Sequence, residues 1–429
     1  ITGTFMGTFN GNGKTLSGLT KPLFDRIGGS VSNVVLTTAD SGIDGQGILA
    51  NEEVLGSEID SISASGSLET FYDYVGGLVA VASGTINVGG LAGWVFGDIS
   101  NSSSSMSIST LGSKVGGLAG ATEGIVTISN SSATGSINIH SDNVQIGGLV
   151  GYSTAVITDS YATGDITVGS GGEGGGVGWV SGLVGENTGM ISNSYAAGNV
   201  NSGWDIGGLV GYSWNGAINN SYATGNVTGS GTSVGGLVGE NSNTNISSSY
   251  ATGSVSGDSE VGGFVGHLGS GVISNSHAIG TVSGASDYIG GLIGYAADNI
   301  SNSFARTTIT APTSAFVGGL VGYSDGLISN SYAIVTGNLD ANHSIGGLAG
   351  SSNSNISNSF ATVSGNISAD TSFGGASATG GLVGVTYGTI SNSHVNISGD
   401  IVGSGDYVGG LAGQANNSIT NSYAVVHGN

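Results

Sequence analysis

The sequence predicts an all-β chain wound as a β-solenoid, and three observations carry that expectation. One phrase, Gly-Gly-Leu-Val-Gly followed by Ile-Ser-Asn-Ser-Tyr-Ala-Thr-Gly, recurs along nearly the whole length at a near-constant interval. Within each pass, small or apolar residues alternate with polar ones, the period of a strand with one buried face. The composition holds 85 Gly and 2 Pro in 429 residues, with 7% charged residues. It supplies strands and corners but no run of Leu, Ala, Glu and Lys able to hold a helix.

With the leading Ile or Val of the phrase as marker, the passes fall at Val31, Ile59, Ile99, Ile128, Ile157, Ile191, Ile218, Ile246, Ile273, Ile300, Ile328, Ile356, Ile390 and Ile419. From Ile191 to Ile356 each step is 27 or 28 residues, a solenoid interval. About fourteen coils of ~28 residues follow. The two 34-residue steps, Ile157 to Ile191 and Ile356 to Ile390, place loop insertions near 169–179 and 369–379. The chain divides into lead-in strands with a first coil (1–30), irregular acidic early coils with an insertion (31–75) and the regular array (76–429).

Counted from the marker as zero, positions three, five, seven and nine face a narrow core of Ser, Ala, Gly and Val. One pass reads Ser249, Ala251, Gly253 and Val255 inward, with Tyr250, Thr252 and Ser254 outward. Gly at position seven is expected where a side chain would meet the opposite wall. Position two is Asn130, Asn193, Asn220, Asn275, Asn302, Asn330, Asn358, Asn392 and Asn421, with Asp159 substituting once. Asn tolerates the left-handed backbone of a tight corner, and its amide can bond to the Asn one coil away, so this column reads as a structural ladder. The Gly-Gly pair before Leu marks a second corner, expected to use both positive φ and close backbone approach. Val234, Val261, Ile289, Val317 and Ile345, just before it, face the core.

These phrases resemble the GLUG repeat of bacterial and archaeal surface proteins. The opening from Gly3 to Leu19 is similar to the segment that leads into such arrays, and the resemblance covers essentially the whole chain. It implies a secreted or surface-attached adhesin, extracellular or at the cell surface, and the repeat itself carries no catalytic residue.

Composition narrows the partners. Five bases against 27 acids give a net charge of −22, too few cations to neutralise a phosphate backbone, so nucleic acid is excluded as a partner. No apolar run approaches the ~20 residues of a membrane-spanning helix. Disorder and a collagen helix are excluded by 38% hydrophobic residues and by the absence of a Gly-X-Y period.

The enzyme reading is disfavoured, because glycoside hydrolysis needs two opposed carboxylates and acidic residues such as Glu186 and Glu240 are expected to avoid stacking. Scattered His exclude zinc, and no cofactor is expected apart from a weak calcium option in the acidic 40–73 segment. Asn-x-Ser/Thr triplets at Asn226, Asn245, Asn299, Asn355, Asn366, Asn396 and Asn416 are built from the repeat's own Asn and Ser, and assign nothing without the source.

The informative outward column is position four: Tyr161, Tyr195, Tyr222, Tyr250, His277, Phe304, Tyr332, Phe360, His394 and Tyr423. Stacked rings brace neighbouring coils, while an exposed aromatic stripe would bind glycans or a second copy laterally. A partial second column, Trp94, Tyr152, Tyr212, His267, Tyr295 and Tyr323, follows the Gly-Gly corner. The expected function is an extracellular structural or adhesive rod, assembling head to tail with itself or continuing in the same chain. The alternatives are a glycan-binding adhesin and, remotely, a polysaccharide-acting enzyme.

Overall fold

The computed structural model describes the chain except for residues 1–2, 20–22, 39–49, 54–57, 66, 71–73, 77–86, 141–143, 170–177, 371–376, 406 and 429. Its regular elements are short β-strands paired in parallel with the equivalent strands one coil away. The fold is an all-β β-solenoid. Two compact units divide it, residues 1–203 with 208–225, and residues 204–207 with 226–429.

In the first unit the strands after the Gly-Gly corner are Ala92–Val95, Ala119–Thr122, Val150–Ser153, Val184–Asn187 and Val210–Trp214, paired in that order. The second unit repeats the arrangement with seven strands, from Val238–Ser242 through Val265–Leu268, Ile293–Ala296, Val321–Ser324, Ala349–Ser352 and Val383–Thr386 to Ala412–Ala415. These mark about twelve turns against about fourteen marker passes. The passes at Val31 and Ile59 have their strands, Ser30–Thr38 and Glu58–Ser65, but much of their return path lies outside the described residues. So does most of the acidic 40–73 segment.

Register follows the marker. Val31 pairs with Ile59, and Ile99 with Ile128, in the first unit, as Ile246 pairs with Ile273 and Ile273 with Ile300 in the second. The 34-residue steps keep it, pairing Ile157 with Ile191 and Ile356 with Ile390, so each insertion adds residues without shifting the ladder. The cores of both insertions, 170–177 and 371–376, lie outside the described residues. The irregular early region takes a shorter step: Tyr74–Gly76 pairs with Asn87–Gly89.

The position-two corner is held by a repeated pair of residues. The nine Asn named above, together with Asn33, Asn101, Asp159 and Ser248 of the same column, have φ between 47° and 51°, the left-handed region. That twist turns the following Ser inward, where it is buried at every pass from Ser102 to Ser393. Its hydroxyl donates to the carbonyl two residues back, Ser303 Oγ to Ser301 O at 2.8 Å, and accepts the amide of the Ser one coil earlier, Ser276 N at 3.2 Å. The same pair of bonds recurs at Ser131, Ser160, Ser194, Ser331 and Ser359. A kinked strand would otherwise bury an unpaired amide on each coil.

Two glycine expectations change. The Gly-Gly pairs have no positive φ among the described residues. They are required by proximity instead, since a Cβ on Gly235 would lie 1.9 Å from Val238 O and one on Gly236 2.1 Å from Gly263 O. At position seven the obstacle is not the opposite wall but the neighbouring coil: a Cβ on Gly225 would lie 1.9 Å from Gly198 O. From Phe304 onward the strands run through this position, and Thr307, Val335, Val363 and Ile397 stand there buried. Met106 stands buried at the same position outside any strand, and Gly280 lies within the strand His277–Ser283.

The core combines the inner-column Ser, Ala and Val with the marker Ile, the Leu of the Gly-Gly-Leu corner and the Val before it, which from Ile99 to Ile390 are at most a few per cent exposed. Each fully buried aliphatic contributes about 1.5–3 kcal/mol, repeated coil by coil.

Replacing Ser303 with Ala should strand the Ser276 amide, while the Ser301 carbonyl keeps the Asn275 amide, lowering stability by about 1–3 kcal/mol in chemical denaturation. Asn302→Gly should be nearly neutral while Asn302→Ala costs about 1 kcal/mol, because only the second places an intolerant residue at positive φ.

Candidate functional site

The position-four rings stand in register on adjacent strands and stack face to face. In the first unit Tyr161 lies 4.9 Å from Tyr195, and Tyr195 lies 4.9 Å from Tyr222, with interplanar angles of 4° and 2°. In the second unit the stack runs Tyr250, His277, Phe304, Tyr332, Phe360, His394, Tyr423, with centroids 4.6–5.2 Å apart and planes within 11°. Each ring within a run is half-buried, its faces covered by its neighbours, so edges and hydroxyls point outward. Tyr423 is 57% exposed. Burial between Tyr250 and Phe304 holds the His277 pKa below its usual value, favouring the neutral ring.

The nine Asn of position two form an exposed column on the corner beside this stack. Asn220 Nδ2 donates to Asn193 Oδ1 at 2.6 Å and Asn421 Nδ2 to Asn392 Oδ1 at 3.3 Å.

A second constellation was missed by reading single columns. The Gly-Gly reversal brings the residue two before the pair next to the residue five after its first Gly, a separation of seven in sequence. In the first unit this places Lys114 Nζ 4.3 Å from the centre of the Tyr152 ring and lets Gln145 donate to Glu186. Burial lowers the Lys114 pKa, opposed by the charge of Glu186. Trp179 stacks on Tyr212 at 4.9 Å.

In the second unit the same two columns gather Asp205, Ser233, Glu240, Glu260 and His267. His267 Nδ1 lies 3.0 Å from Glu260 Oε2, which also accepts from Ser233 Oγ at 3.0 Å. Acidic residues therefore do not avoid one another here. Ser233 and a histidine bond the charges that bare stacking would set in repulsion. Asp205, Ser233, Glu260 and Tyr288 all have φ between 45° and 62°, so the positive-φ positions at this corner lie before the glycines.

Burial pushes the Asp205 carboxyl up to about 6, with Glu240 adding repulsion. Burial also raises Glu240. Glu260 is lowered, because the His267 hydrogen bond and charge outweigh its burial, and His267 is raised, because Glu260 outweighs its own.

Beyond the acids, Tyr288 stacks on Phe316 at 5.3 Å and Tyr295 on Tyr323 at 5.4 Å, the two pairs meeting edge-on. Tyr295 donates its hydroxyl to Asp325 at 2.8 Å, and Asn353 Nδ2 donates to Tyr323 Oη and Asp325 Oδ1, each at 2.7 Å. The Tyr295 hydroxyl is pushed up to about 12, chiefly by burial and then by Asp325. Among the described residues no group of three or more His, Cys, Asp and Glu is placed to hold a metal ion.

Coils in strict register with inward Ser, Ala and aliphatics, and with variable chemistry held at the corners, define a repeat-built β-solenoid. The family described as the GLUG motif matches the chain at residues 84–109, 142–167, 202–228, 230–256 and 257–283. It is also similar to halomucin of Haloquadratum walsbyi, 32% identical over 159 residues, which cover 32% of this chain and 2% of that protein. The chain thus aligns with a very small part of that relative. No solved structure matches it.

The acid cluster makes stability depend on pH. Asp205 titrates near 3.9 when unfolded but at about 6 when folded, so the folded state keeps a proton that the unfolded chain releases. The stability this confers is full below about pH 4 and lost as pH rises to about 6. Glu260, lowered on folding, acts in the opposite sense, its contribution lost as pH falls below its usual range. Asp205→Asn should flatten the decline between about pH 4 and 6 and raise neutral-pH stability by roughly 2–3 kcal/mol, read by thermal melts across that range.

Proposed function

We propose that the chain is a structural and adhesive module of a secreted or cell-surface protein, extended by further coils of the same chain or by copies stacked head to tail. The observation that carries this reading is the position-four column: its rings spend their faces on one another, bracing coil against coil, instead of offering flat platforms to a ligand. The GLUG matches and the similarity to halomucin support placement at the surface. Electron microscopy of the purified protein should show particles growing along the solenoid axis with concentration. Separate particles of constant length at high concentration would rule out the head-to-tail form.

A second reading, glycan recognition, is favoured by the corner patch, where Tyr295 and Tyr323 present ring edges beside the Asp325 carboxylate and the Asn353 amide. Replacing Tyr195, Tyr222 and Tyr250 with Ser, the residue at Ser103 and Ser132, separates the roles. The structural reading expects stability to fall by about 0.5–1.5 kcal/mol for each lost ring pair, seen as a lowered melting temperature, with glycan binding unchanged. Lost glycan binding at unchanged melting temperature would instead make the position-four stripe a recognition surface.

A further inference from the structure

The residue before the marker forms its own column, running Asn245, Val272, Asn299, Leu327, Asn355 and Thr389 in the second unit. Each of its Asn performs one structural task. Asn245 Oδ1 accepts the Val272 amide at 3.0 Å, Asn299 Oδ1 the Leu327 amide at 2.9 Å and Asn355 Oδ1 the Thr389 amide at 2.8 Å. A carboxylate does the same at this position in the first unit, where Asp98 Oδ1 accepts the Thr127 amide at 2.7 Å. The fold thus uses the carbonyl oxygen of these side chains and makes no use of the Nδ2 amine, which on all three exposed residues bonds no described protein atom.

Each also begins an Asn-Ile-Ser triplet, with Ser247, Ser301 and Ser357 in third place. Some other triplets are less open. Asn101 and Asn130 occupy left-handed corners, and Asn366 is half-buried.

We propose that Asn245, Asn299 and Asn355 are attachment sites for N-linked saccharides, added from a diphosphate-activated sugar donor by a transferase. In that step Nδ2 forms a bond to the anomeric carbon and loses one proton. The anomeric carbon–oxygen bond breaks, and the diphosphate leaves with the electron pair. Oδ1 is untouched, so the coil-to-coil hydrogen bond survives the modification. Spacing favours the same assignment: the three Asn stand on alternate coils, two strand spacings or ~10 Å apart, which gives each saccharide twice the room that consecutive coils would. Between them lie aliphatic side chains, Val272 (36% exposed) and Leu327, that the first sugar would partly cover.

The assignment rests on the surface reading above only for access to the transferase. Peptide mass spectrometry on protein from its native source should find saccharide mass at all three Asn. Ser301→Ala and Ser357→Ala should each remove it at one site while leaving the melting temperature unchanged, because the hydrogen bonds to Asn299 Oδ1 and Asn355 Oδ1 are untouched. Peptides recovered at unmodified mass would overturn the sites wherever the protein is found. Cell fractionation, read separately, tests the surface reading.

Discussion

The hydrogen bond from the amide of one buried serine to the hydroxyl of the serine one coil on is the constraint on which the rest of this structure depends. A left-handed Asn kinks the strand and turns the next residue inward, which would bury a backbone amide with nothing to receive it. Serine answers with the smallest side chain that accepts that amide while donating to a carbonyl of its own corner. Because the acceptor lies in the next coil, the bond also fixes the register between coils. A one-residue slip would break every rung and turn the inner column outward.

Register fixed in this way converts sequence position into columns, and columns dictate what each residue type can do. Rings at position four meet at about the strand spacing and become a stack. Carbonyls at position seven approach so closely that Gly stands there in coil after coil, from Gly135 through Gly164 and Gly198 to Gly225. Aliphatics fill the remaining interior, and stability accrues as nearest-neighbour terms along the axis. Like charges in one column would face each other at ~4.8 Å, which explains a chain so poor in charged residues.

Much of this was legible in the sequence, because a column is a fixed offset from a marker. The inward Ser and Ala, the Asn corner and the aromatic stack all follow from counting. The purpose of the glycines did not, since a Gly chosen for positive φ and one chosen because a carbonyl lies 1.9 Å from its Cβ look identical in a sequence. The Asp205, Glu240, Glu260 and His267 cluster escaped for a different reason: its members occupy two columns that meet only through the Gly-Gly reversal. The signal was present as a charged or aromatic residue two before the pair matched by another seven positions later, as in Glu260 with His267 and Tyr288 with Tyr295.

That seven-residue pairing explains where a solenoid of this kind can vary. Inward columns are committed to the core, position two to the corner and position four to the stack, so a change there is felt by the coils on both sides. The two columns beside the Gly-Gly reversal are bound by no such rule. They hold a lysine over a tyrosine in one unit and three acids with a histidine in the other, on the same backbone. Within a single coil they supply two side chains in contact, and across adjacent coils four or more, enough to build a local site without disturbing the repeat. The strained φ values of Asp205, Glu260 and Tyr288 fall in these columns, where the interior places no demand on the side chain. Selection on this scaffold can therefore act on surface chemistry at the reversal while the Ser rungs and the ring stack hold the coils in place.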